Sequence, residues 1–165
     1  SSTSDAGRDI LRAWRGSMVP HRFLDLATLR QIGWRHGRPL WSTIWPLRYR
    51  GGLGVITIPP EFITDLASVP RVPLLWLAAG GCGPRSAILH DFAYQFGYWL
   101  VGAASVAVEK AYVDQVFRES LLADPYAGVG PARAWMMYQG VRLGGHGVWK
   151  DEARVQELNP IWNEA

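Results

Sequence analysis

One short segment constrains this chain more than any other, because it must carry a histidine, an aspartate and a tyrosine on one side of a helix. The segment opens near Pro84 and reads AILHDFAY from Ala87 to Tyr94. Residues i, i+3 and i+4 share a helix face, so Tyr94 lies beside both His90 and Asp91. A core normally receives an apolar stripe at such positions. Burying three polar side chains there without partners would cost about 1–3 kcal/mol for each unsatisfied group. The trio therefore forms a satisfied polar network or lines a site.

The pattern around this helix predicts an α+β domain. Before it, Trp41–Tyr49 and Val55–Pro59 are β-rich runs separated by RGGLG, which reads as a hairpin loop. Pro46 points to an edge strand. EFITD, residues 61–65, adds a short extended piece. After it, two further helices are predicted. One runs from Val108 to Leu122 with Val113, Val116, Phe117 and Leu121 at helical spacing. The other runs from Pro131 to Leu143 and stops at Gly144–Gly145, with Ala132, Trp135, Met136, Gly140 and Leu143 as its packing face. The expected fold is a β-hairpin with an extra short strand packed on about three helices, residues 39–147. A helical N-terminal extension, residues 1–38, holds a stripe of Ile10, Leu11 and Trp14 and a second helix from about Pro20 to Gln31. A C-terminal tail, residues 148–165, contains a short helix.

Composition narrows the function classes. Of 165 residues, 48% are hydrophobic and 19% charged, which supplies a core and excludes a disordered chain. The net charge of +3 is scattered, so the basic stripe that nucleic-acid binding requires is missing. A single cysteine, Cys82, excludes a disulfide framework and a cysteine-based zinc site. The N-terminal residues lack a signal-peptide apolar region, and the run from Val72 to Ala79 is too short to span a membrane. Nine tryptophans allow either an aromatic core or anchors for a partner, with Trp14, Trp41, Trp149 and Trp162 the candidates for the latter.

From Pro39 to Gly147 the chain resembles a phage and bacterial family, domain of unknown function family 1353. Two signatures carry the resemblance: Pro59, Phe62, Thr64, Asp65, Ala67, Ser68, Pro70 and Arg71, then Ala87, His90, Asp91 and Tyr94. Asp114 and Phe117 follow in a D-x-x-F pattern. Such genes commonly lie in phage and prophage clusters, which implies a viral origin without assigning a chemistry. A second resemblance, to parvoviral-type phospholipase A₂, rests on His90, Asp91 and Tyr94 followed by the Asp114 helix. It implies His90 as the base that activates water, Asp114 as the group that orients it, Tyr94 as support, and Asp91 as a ligand for Ca²⁺. Asp65 is an alternative metal ligand beside His90. The glycines that would serve a calcium loop, Gly80, Gly81 and Gly83, sit almost against the helix.

The chemistry is coherent. An imidazole with a pKa of about 6.5 accepts a proton from water at neutral pH, and a carboxylate on its other nitrogen fixes the tautomer. Set against this, Asp114 has Lys110 and Arg118 at i−4 and i+4 and could simply pair with them. Asp65 and Ser68 suit a turn, and Ser68 lacks the Gly-x-Ser-x-Gly elbow of a nucleophile. Arg71 suits an ion pair with Asp65 or Asp91, while His21, His36 and His146 lack ligand spacing. The reading is a virion-associated phage protein of the tail or genome-delivery apparatus, present in the host cytoplasm during assembly. It would contact other virion proteins and carry a His–Asp hydrolase-like site for bacterial membrane lipid. The alternatives are a non-catalytic structural virion module and a small intracellular interaction protein made during infection.

Overall fold

The computed structural model describes residues 20–68 and 84–160. The expected helix at Ile10–Trp14, the partner of Arg71, the Gly80–Gly83 turn and Trp162 lie outside them. The described residues form an α+β fold of two antiparallel sheets and four helices. Strands β1 (Arg22–Phe23), β2 (Leu29–Arg35), β3 (Arg38–Thr43), β4 (Leu47–Gly51), β5 (Gly54–Ile58) and β6 (Ile63–Thr64) come first. Helix α1 (Pro84–Phe96) leads into a hairpin, β7 (Tyr98–Val101) and β8 (Ala104–Ala107). Helices α2 (Lys110–Ala123), α3 (Pro131–Gly144) and α4 (Glu152–Leu158) end the order. One sheet has the order β1-β4-β5-β7-β8 and the other β2-β3-β6.

The predicted hairpin is present, with Gly51 opposite Gly54 across its turn. The predicted strand Trp41–Tyr49 is two strands in different sheets, and Pro46 lies in the link between them rather than on an edge strand. The helix expected from Pro20 to Gln31 is instead strand and loop. Its apolar spacing matched a helix, but long-range pairing prevails: Phe23 sits opposite Tyr49, with ring centroids 4.9 Å apart. The Asp25 carboxylate takes both the backbone N–H and the guanidinium of Arg48. Strand β2 continues into β3 through His36 and Gly37, with φ of 47° and 72°. Two successive positive φ values match the tight turn that hairpins favour.

Helix α1 is the centre of the molecule, buried from Arg85 to Gln95 and packed against α2, α4, β5, β6 and β7. Its apolar side joins the main core, where Phe92 meets Phe62 edge-on and the Trp99 indole N–H donates to the Leu89 carbonyl. Gly97 ends it at φ 75°, where its N–H donates to the Ala93 carbonyl; a left-handed residue after a helix is a common stop that glycine adopts without strain. A second core lies between α2 and α3 around Phe117, Leu121, Ala134, Met137 and Val141. The α3 packing face thus differs from the expected one. Ala134, Met137 and Val141 face inward, while Trp135, Met136 and Leu143 are exposed. Both stripes have helical spacing, and the second core decides which of them is covered.

The C-terminal segment packs onto the domain as far as Asn159. Asp151 caps α4, and Arg154, Val155, Leu158 and Asn159 are buried. Asn159 fastens it by accepting from the Ile63 N–H and donating to the Ile63 carbonyl and the Gln95 side chain. Trp149 is half-buried, edge-on to Tyr94.

Candidate functional site

Adjacent residues of α1 point to different neighbours. His90 faces α2 and the turn after β6, whereas Asp91 faces β6 and α4. Both are fully buried.

On the first side, His90 Nε2 lies 2.8 Å from Asp114 Oδ1, and Nδ1 lies 3.1 Å from Ser68 Oγ. Asp114, expected either to orient His90 or to pair with Lys110, does both: Lys110 Nζ donates to its Oδ2 at 2.8 Å. The Tyr94 hydroxyl donates to Asp114 Oδ1 at 2.6 Å. Burial alone would raise the Asp114 pKa, but hydrogen bonds from His90, Lys110 and Tyr94 hold it below the usual carboxylate range. Burial lowers the His90 pKa against the opposing pull of Asp114. An ionised carboxylate only accepts, so a neutral His90 must carry its proton on Nε2. Nδ1 then presents a lone pair, and Ser68 Oγ–H must donate to it. The chain Ser68–His90–Asp114 is therefore polarised in one direction.

Packing holds that direction. The His90 ring packs at a tilt against Tyr94 and Phe117, with ring centroids 4.1 Å and 4.8 Å away. Gly145, which caps α3, lies so close to Tyr94 that a methyl group there would overlap its hydroxyl.

On the second side, the phospholipase resemblance implied Asp91 as a calcium ligand. Instead Oδ1 accepts from Arg154 Nη2 at 2.7 Å, and Oδ2 accepts from Gln95 at 3.0 Å and from the Thr64 hydroxyl. Asp65, the alternative ligand, accepts from Arg154 at 2.6 Å and from Arg35 at 3.3 Å. It also shapes its turn by accepting from the Ala67 N–H, as the local sequence implied. This donor set does not fit a calcium ion: both Asp91 oxygens are already engaged, and a guanidinium stands between the two carboxylates. Burial would raise the Asp91 pKa, but the Arg154 charge, followed by hydrogen bonds from Thr64, Arg154 and Gln95, lowers it.

His90, Asp114 and Tyr94 thus meet in one hydrogen-bonded cluster. Ser68 and Arg154 were missed as members of the site. Ser68 gave a turn signal that hid its reach to His90. Arg154 lies 63 positions from Asp91 in a segment without a motif.

Residues 41–141 match the family model described as "Protein of unknown function (DUF1353)". No curated protein and no solved structure matches the chain. The matched span contains Ser68, His90, Asp91, Tyr94 and Asp114, and it ends before Arg154. It covers more than half of the sequence, and the chain belongs to the DUF1353 family.

Proposed function

We propose that this chain is a virion-associated protein of a bacteriophage or prophage, of the tail or genome-delivery apparatus, whose Ser68–His90–Asp114 relay hydrolyses ester bonds of bacterial envelope lipid. The observation that carries the chemistry is the hydrogen-bonded order of the three side chains, 3.1 Å and then 2.8 Å, around a neutral imidazole. In this reading Ser68 Oγ attacks the acyl carbon while its proton passes to His90 Nδ1. Asp114 stabilises the imidazolium that forms. The proton then moves to the leaving alcohol oxygen as the ester C–O bond breaks, and water repeats the sequence to free Ser68. The virion and host-cytoplasm assignments rest on the two signatures shared with a phage and bacterial family.

One observation favours the alternative of a non-catalytic structural virion module. Ser68, His90 and Tyr94 are 0% exposed and Asp114 is 1% exposed, so the relay also serves as a buried brace between α1, α2 and the turn after β6. A single set of proteins separates the two readings. The parent protein is treated with a serine-directed fluorophosphonate and assayed on phospholipid esters, beside Ser68→Ala and His90→Gln. Labelling at Ser68, with a loss of roughly 10²–10⁴-fold in rate on removing the general base, supports the relay. An unlabelled, inactive parent whose two variants melt at lower temperature supports the brace.

A further inference from the structure

A groove unrelated to the α1 network lies between the β1–β2 loop, the β3–β4 link and strands β4 and β5. It is an open, solvent-facing depression of about 760 Å³, lined by Leu26, Thr28, Trp45, Pro46, Arg48 and Thr57, among others. Trp45 is 66% exposed and Leu26 65% exposed. Trp45 and Leu26 together give the groove an apolar surface that faces solvent.

The groove is pre-formed. Ile44 N–H, beside Trp45, donates to the Thr28 carbonyl at 2.9 Å and ties the two loops together. Leu24 N–H donates to the Arg48 carbonyl at 2.9 Å. Arg48 reaches Asp25 through its backbone N–H, Nε and Nη2, each at 2.9 Å. The hydrogen bonds from Arg48 keep Asp25 ionised by lowering its pKa, so the pair carries no net charge.

These features select a ligand by exclusion. A free anion would meet the Asp25 carboxylate and a free cation would meet Arg48. A wholly apolar ligand would cover the Arg48 guanidinium and the hydroxyls of Thr28 and Thr57 without replacing their hydrogen bonds with water, which is costly. A molecule with one apolar face and a rim of neutral hydroxyls satisfies every group. We infer that the groove binds a neutral saccharide, with a pyranose ring lying on the Trp45 indole and its hydroxyls exchanging hydrogen bonds with Arg48, Thr28 and Thr57.

Saturation-transfer NMR and calorimetry with tri-N-acetylchitotriose, cellotriose and maltotriose, all uncharged, test this on the full chain. At least one trisaccharide should bind at millimolar concentration or below, with its ring protons saturated from the protein. Trp45→Ala should weaken that binding at least tenfold without lowering the melting temperature, because the indole is largely exposed. Leu143→Ser, on an exposed face of α3 and outside the groove lining, should bind as the parent does, and the test does not depend on the relay. Absence of binding by all three trisaccharides overturns the inference, as does binding that Trp45→Ala leaves unchanged.

Discussion

His90 and Asp91 are neighbours on one helix, yet their surroundings give them opposite capacities. Around Asp91, a guanidinium, a threonine and a glutamine engage both carboxylate oxygens, and the charge is compensated by Arg154. Nothing in that arrangement has a proton to move at neutral pH. Around His90, a neutral imidazole lies between a hydroxyl donor and an ionised carboxylate, so a proton can shift along the chain without any atom leaving its place. Two adjacent motif residues thus belong to different networks, one ion-paired with Arg154 and the other hydrogen-bonded in a row with Ser68 and Asp114. The Asp91 counter-charge also comes from beyond the family-matched span, whereas the relay lies wholly within it.

The largest effect should come from the bracing side. Arg154→Met leaves Asp65 and Asp91 as buried carboxylates without their shared cation, and breaking a buried pair in this way costs about 3–5 kcal/mol. Denaturant melts should show that loss. The double variant Asp91→Asn/Arg154→Met should lose less than the sum of its two singles, because the partners share one interaction. Additive losses would place the main role of Arg154 elsewhere.

A smaller, pH-dependent effect should distinguish the two sides. His90 titrates below its ordinary value of 6.5 in the folded chain. As pH falls below 6.5, the unfolded chain takes up that proton first and stability declines. Above 6.5 this contribution is fully present. Asp91 and Asp114 titrate below 3.8, so their contributions are retained above 3.8 and lost only in stronger acid. Stability against pH should therefore fall in two stages. His90→Gln should remove the first stage and keep the second, and a variant that retained the first stage would assign it to another group.

The smallest effect is expected where neither network reaches. Leu143 is 75% exposed, so Leu143→Ser should change stability by no more than about 0.5 kcal/mol, the usual range for surface positions. A larger loss in thermal melts would show that the outer stripe of α3 is covered in solution.

What could be read in advance follows the range of the interactions. The β4–β5 hairpin and helices α1, α2 and α3 carry their own turn, cap and spacing signals, and Asp114 lies on a stripe whose edge points back to α1. Strands β1 and β2 were misread because Phe23, Leu24, Leu26 and Ala27 fit a helix locally, while distant partners decide their conformation: Tyr49 and Arg50 for β1, Trp41, Ser42 and Thr43 for β2. The β7–β8 hairpin was missed because four-residue strands offer too little alternation to register. Ser68 and Arg154 were hidden for the same reason: their roles depend on contacts 22 and 63 positions away.

The central claim is that Ser68 donates to a neutral His90 whose proton resides on Nε2. Imidazole ¹⁵N NMR of the folded chain at neutral pH reads this directly. The account predicts a pyridine-type signal for Nδ1 of His90 and a pyrrole-type signal for Nε2. Ser68→Ala should shift the Nδ1 signal further in the direction of a free lone pair. A proton on Nδ1, or an imidazolium with both nitrogens protonated at neutral pH, would contradict the relay.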